Sequence, residues 1–301
     1  MPTQTQPRNA AVIQPSIITQ PNNPLTRWHL LSLDAPTVAA LWTSFIASVS
    51  HIHLPLASTL AMAIAVWMLY AADRLLDTRF IGTSRKEHLE ARHFFHHHHR
   101  RVFLTGVLLA SAALAILLPQ LEAEAIHLYL VLGGLLFGYF ILIHATNSAH
   151  RLPKEIAVGL FFAAATFIPT VARRPDLRIP LLPIAILLAI LCSLNCLFIY
   201  AWEHAAPTST NQTHSSPPTH ATTRLALRNL PLLTINLIVL SVAFALLDHQ
   251  VPWPIPYAIA VSAASLLLLH HRRHHIARLT LRSLADLALT TPVLLLPLLR
   301  R

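Results

Sequence analysis

Charge is scarce in this chain, and negative charge is scarcest. Only 11% of its 301 residues are charged and 12 are acidic, whereas soluble domains run near a quarter charged. With 54% of the residues hydrophobic, that shortage excludes an ordinary soluble fold. Cysteine is nearly absent. Cys192 and Cys196 stand four apart inside one apolar block. They supply neither a disulfide framework nor a CxxC metal pattern, and at that position they pack. No cleavable signal, soluble domain or usable internal repeat is apparent, so the first span itself directs insertion.

What the chain has instead is apolar blocks near the roughly 20 residues a helix needs to cross the hydrocarbon core. There are nine, at 36–54, 55–72, 102–119, 124–144, 155–172, 180–202, 230–247, 255–270 and 284–299. The expectation is an all-α polytopic membrane protein, a nine-helix transmembrane bundle over 35–301. Residues 1–34 are polar and rich in Pro, Gln and Asn, and are expected as a disordered cytoplasmic segment.

The net charge of +10 lies between the apolar blocks, where headgroups and topology account for it, so nucleic acid is not expected as a partner. With the N-terminus inside and nine alternating spans, 17 of the 22 Lys and Arg face the cytoplasm. The remaining five are Arg173, Arg174, Arg178, Arg300 and Arg301. The positive-inside rule therefore predicts an integral protein of the cytoplasmic (inner) membrane with its N-terminus inside. The His-rich runs at 93–99 and 270–275 are flanked by arginines, which repel a cation. They read as contacts to headgroups or diphosphate.

The acids are few enough to place singly. Asp34 precedes the first span and Asp286 sits early in the ninth. AMAIAVWMLYAADRLLD at 61–77 ends the second span with Asp73 and Asp77 around Arg74. Positions i and i+4 share a helix face, so two carboxylates at a membrane edge can hold a divalent cation. Glu203 closes the sixth span, which runs in the same direction. Asp73, Asp77 and Glu203 thus emerge at one membrane face, with Asn195 about two turns deeper on the sixth helix.

DRLLD at 73–77 resembles the first aspartate-rich motif of the UbiA superfamily of intramembrane prenyltransferases, Asn-Asp-x-x-Asp-x-x-x-Asp. Its last two aspartates fall on Asp73 and Asp77, while Leu69 and Tyr70 stand at its leading positions. Glu203 stands where the second acidic motif begins. Ile199 and Pro207 occupy the positions four residues to either side of it. Lys154-Glu155 with Gly159 is similar to the family's fifth-helix entry, and the nine-span plan covers most of 35–299.

The resemblance implies transfer of a prenyl group from an allylic prenyl diphosphate to an acceptor at a cytoplasm-facing site. Asp73, Asp77 and Glu203 would be the Mg²⁺ ligands and catalytic carboxylates. Arg74, Arg79, Lys86, Lys154 and Asn195 would bind diphosphate. Mg²⁺ suits the task, because it takes one or two carboxylates and fills its shell with substrate phosphates. Expected partners are the prenyl diphosphate, an acceptor and membrane lipids. Trp67, Tyr70, Phe198, Tyr200 and Trp202 offer faces for an allylic cation. The competing reading is a non-catalytic UbiA-fold membrane protein or an ion- or proton-coupled transporter. A transporter places acids near the midplane, where only Asp286 and Asn195 come close.

Overall fold

The structure is a computed structural model that describes residues 24–80, 99–145, 154–203, 221–248 and 250–299. Every regular element among them is helical. The helices are α1 (Pro24–Leu30), α2 (Asp34–Val49), α3 (Leu56–Phe80), α4 (Arg100–Leu117), α5 (Ala123–Ala145) and α6 (Lys154–Arg173). They continue with α7 (Arg178–Glu203), α8 (Ala221–Arg228), α9 (Leu230–Leu247), α10 (Pro254–Arg272), α11 (Arg278–Ala288) and α12 (Pro292–Leu299). A membrane interior leaves backbone polar groups no partner but each other, and helices satisfy them within one segment.

Seven helical segments are long and apolar enough to cross a membrane: Leu56–Asp73, Arg100–Gln120, Ala123–Leu142, Lys154–Arg173, Pro175–Glu203, Leu230–Leu247 and Pro254–His275. The first and last of the nine apolar blocks take other forms. The first becomes α2, whose 16 residues reach about 24 Å against a hydrocarbon core of about 30 Å. The last is split into α11 and α12. Pro292 causes that break, since it has no N–H for the carbonyl of Ala288 and disfavours a helical residue before it.

α7 is the hub. Its buried residues Leu181, Ile184, Leu188, Leu191 and Phe198 join Trp42, Phe45 and Ile46 of α2 and Ile255, Ile259 and Leu266 of α10 in one cluster. α6 packs along α7 more extensively than any other described helix pair, and Gly159 admits the contact. A Cβ there would meet Ser193 Oγ and lie 2.5 Å from the Ala189 carbonyl oxygen. α4 and α5 pack at the periphery and turn bare apolar side chains outward. Leu108, Ile116, Leu130 and Phe137 are each about two-thirds exposed or more, at 71, 70, 69 and 67%. In water such surface would drive aggregation, whereas lipid solvates it.

The segment before the first span is ordered over its C-terminal part, where the sequence reading expected disorder through residue 34. α1 ends in a Schellman cap: Leu33 N–H bonds the Trp28 carbonyl at 3.1 Å and Ser32 N–H bonds that of His29 at 3.0 Å. Ser32 takes the left-handed conformation, φ 58°, that this cap requires. The turn buries His29 and Leu30 and packs α1 on α11. α2 ends the same way, with His51 at φ 56°. The physical reason for the departure is tertiary. The segment is polar on average, but its last turn sits on a neighbouring helix that a linear reading does not supply.

Candidate functional site

Helix direction alternates along the chain, so the start of α2, the end of α3, the start of α4, the end of α7 and the start of α11 share one end of the bundle. Cross-links confirm the grouping. Trp67 Nε1 of α3 donates to the Leu31 carbonyl at 3.1 Å, and the Trp67 ring stacks on Phe103 of α4. Thr223 Oγ1 of α8 reaches Glu155 Oε2 of α6 at 3.4 Å.

The densest chemistry at this end is a cluster of His29, Asp34 and Asp286, whose ligand-type atoms all lie within 4.8 Å of one another. His29 Nδ1 is 2.6 Å from Asp34 Oδ2 and 3.8 Å from Asp286 Oδ2. The other Asp34 oxygen accepts from Ala35 N–H at 2.9 Å, which seats the carboxylate at the positive end of α2. Asn195 Nδ2 of α7 donates to Asp286 Oδ1 at 3.0 Å. His29 and Asp34 are 1% and 3% exposed, and Asn195 is 6% exposed. The Asn195 amide oxygen is buried and accepts no hydrogen bond. Nearby, Arg282 of α11 donates to Glu203 of α7 in a partly buried ion pair.

The structure distributes the expected site residues unequally. Asp73 is exposed on α3, which runs as one helix through positions 73 to 80. Positions 73 and 77 therefore share a face. The side chains of Arg74, Asp77 and Arg79 and the whole of Lys86 lie outside the described residues. Lys154 is exposed at the start of α6. Asn195 is buried on Asp286, and Glu203 is held by Arg282. Of the aromatic residues, Trp202 Nε1 hydrogen-bonds His270 Nδ1 at 3.1 Å, and Phe198 and Trp202 pack together 5.6 Å apart. His270 thus belongs to a ring cluster with the end of α7. His93 and His96 to His98 lie outside the described residues.

Four residues of this end are not among the site residues that the sequence points to: His29, Asp34, Arg282 and Asp286. The available signal was His29 and Asp34 five apart ahead of the first span. What makes them a pair is the Schellman turn between them.

The opposite end has a different character. Arg173 pairs with Glu122 at 3.0 Å, Arg178 with Glu124 at 2.7 Å and Arg174 with Asp176 at 2.7 Å. Two open clefts of about 440 and 530 Å³ lie there, both reaching His51 and Arg174. These exposed pairs lie among solvent-accessible groups and contribute little each.

Fold and site together define an all-helical membrane protein with a histidine–carboxylate–amide cluster at one end of its bundle. Compared with family models, curated proteins and solved structures, the chain matches none.

Proposed function

We propose that this protein is an intramembrane prenyltransferase of UbiA type, acting at the cytoplasmic end of a nine-segment bundle. The observation that carries the proposal is α3. It continues as one helix beyond its membrane-spanning window, Leu56–Asp73, to Phe80. That continuity puts positions 73 and 77 on one face at the membrane edge, on the end of the bundle that also holds Glu203, Arg282 and Asp286. The nine segments of the proposal are the seven long helices plus α2 and the broken α11–α12 pair.

The donor set at Asp73 and Asp77 is all-carboxylate oxygen, which fits Mg²⁺, a hard cation that prefers oxygen. Bound there, Mg²⁺ would supply Lewis-acid stabilisation of the departing diphosphate. The chain's own groups do the rest. The allylic C–O bond breaks with its electron pair leaving on the diphosphate, and an acceptor nucleophile bonds the allylic carbon and passes its proton to the released diphosphate. Asp73 and Asp77 would hold the Mg²⁺, which would neutralise charge on the substrate's anionic head. Arg282, already carried to this end by Glu203, and Lys154 offer donors to phosphate oxygens. The apolar faces of α3 and α7 take the isoprenoid chain and keep water from the cation.

The test is binding of a non-hydrolysable prenyl diphosphate analogue by detergent-purified protein during a Mg²⁺ titration, with Asp73→Asn/Asp77→Asn alongside. Mg²⁺-dependent binding lost in the double variant is expected. A well-folded wild type that binds no analogue sinks the proposal.

One observation favours a second reading, ion- or proton-coupled transport: His29 and Asp34 are buried and joined to Asp286 within the bundle. Reconstituted vesicles under a pH or sodium gradient distinguish the two. Under the transferase reading, His29→Ala leaves flux at the level of empty vesicles, as does wild type.

A further inference from the structure

We propose that His29, Asp34, Asp286 and Asn195 form a buried binding site for a divalent first-row transition metal, of the Mn²⁺ or Zn²⁺ class. It is separate from any Mg²⁺ held with a diphosphate at Asp73 and Asp77, and it does not depend on the transferase reading.

The first ground is convergence. The ligand-type atoms of His29, Asp34 and Asp286 lie within 4.8 Å of one another, although they come from α1, α2 and α11. Metal bonds of about 2.0–2.2 Å place two ligands of one ion roughly 3–4 Å apart. The His29 Nδ1 to Asp286 Oδ2 separation of 3.8 Å is already in that range. The His29 Nδ1 to Asp34 Oδ2 hydrogen bond of 2.6 Å must open by roughly half an ångström, as a metal replaces the shared proton.

The second ground is independent and comes from α7. Asn195 is 6% exposed and points into the cluster, with Nδ2 3.0 Å from Asp286 Oδ1. Its amide oxygen is buried without a hydrogen-bond donor. Buried polar atoms are nearly always satisfied, so an orphaned acceptor calls for a partner that the protein does not itself provide. Oδ1 belongs to the same amide whose Nδ2 meets Asp286, so a cation ligated by Asp286 has this oxygen donor beside it.

The donor set selects the ion. One imidazole nitrogen with two carboxylates and an amide oxygen suits Mn²⁺, Fe²⁺ or Zn²⁺. Mg²⁺ prefers oxygen throughout and keeps most of its water, whereas His29 and Asp34 are 1% and 3% exposed. An ion here ties α1 to α2, α7 and α11 and so holds the N-terminal helix against the bundle end.

The experiment uses full-length protein in detergent, stripped with chelator and titrated with Zn²⁺ and with Mn²⁺. The expected result is saturable uptake of about one ion per chain by wild type. Mn²⁺-loaded protein should show pulsed-EPR coupling to one imidazole ¹⁴N. Removing a ligand in His29→Ala or Asp34→Asn should weaken affinity at least about tenfold. Asp73→Asn/Asp77→Asn should bind as wild type does, which separates this site from the diphosphate site. Folded wild type that takes up no stoichiometric ion overturns the proposal, as does Mn²⁺ without nitrogen coupling. The EPR measurement needs only wild type, so the proposal stays testable even if the variants fail to fold.

Discussion

Trp42 Nε1 donates to the carbonyl of Leu289 at 2.9 Å, joining positions 247 apart in the chain. The acceptor exists because α11 stops at Ala288 ahead of Pro292, which leaves the Leu289 carbonyl without a helical partner. The same break is stitched by Thr291. Its hydroxyl donates to the Ala258 carbonyl at 3.0 Å and lies 2.6 Å from Ser262 Oγ. Trp42 is fully buried, so Trp42→Phe keeps most of the packing and removes only the donor. We expect a loss of about 1–3 kcal/mol, the cost of stranding a buried acceptor. It should be read as a lower thermal midpoint in detergent, and an unchanged midpoint would count against the bond.

The α6–α7 contact predicts a sharp difference among glycines. Gly159→Ala places a Cβ against Ser193 Oγ and the Ala189 carbonyl, and a backbone carbonyl cannot rotate away. Overpacking of this kind costs about 1–3 kcal/mol. Gly134 and Gly138 have nothing within 4 Å of an added Cβ. Alanine at either should be neutral or slightly stabilising, since glycine costs helix interiors about 0.5–1 kcal/mol. Thermal unfolding of the three single variants side by side decides it.

Glu203 and Arg282 predict a coupled pair. Their side chains are 27% and 15% exposed, so either charge left alone is only partly hydrated. Glu203→Gln and Arg282→Met should each destabilise by about 1–3 kcal/mol, below the cost for a fully buried pair. The double variant should cost less than the sum of the two singles. Strict additivity in a double-mutant cycle would show that the pair contributes no coupling.

The proposed orientation is checked by cysteine labelling. Glu122 lies at the far end of the bundle, and the exposed Leu225 of α8 at the cluster end. Native Cys192 is buried and Cys196 partly so, which keeps background labelling low. An impermeant maleimide on intact cells should label Glu122→Cys at once and Leu225→Cys only after permeabilisation. The reverse pattern would place the cluster outside.

The site was only half legible in the linear chain. The relation of positions 73 and 77 is legible because it is local: four residues in a helix fix a common face. Asn195 and Asp286 were noted as polar residues in apolar blocks, but their contact, 91 positions apart, has no local signature. The resemblance gives Asn195 a diphosphate role; in the fold its amide nitrogen meets Asp286. Nothing near Glu203 in the sequence announces its ion pair with Arg282, 79 positions away.

By itself the sequence determined that the chain is helical and suited to lipid, because hydrophobic length is a local property and backbone groups in a membrane have few alternatives. It also set which helix ends carry charge. Tertiary structure alone decided that α1 folds back onto α11 and that the last apolar block breaks and is recaptured by Trp42. It also decided that a histidine from one end of the chain meets an aspartate from the other. Those outcomes depend on how helices pack, and packing is fixed by shape at distant positions, such as the missing Cβ of Gly159, that no local pattern encodes.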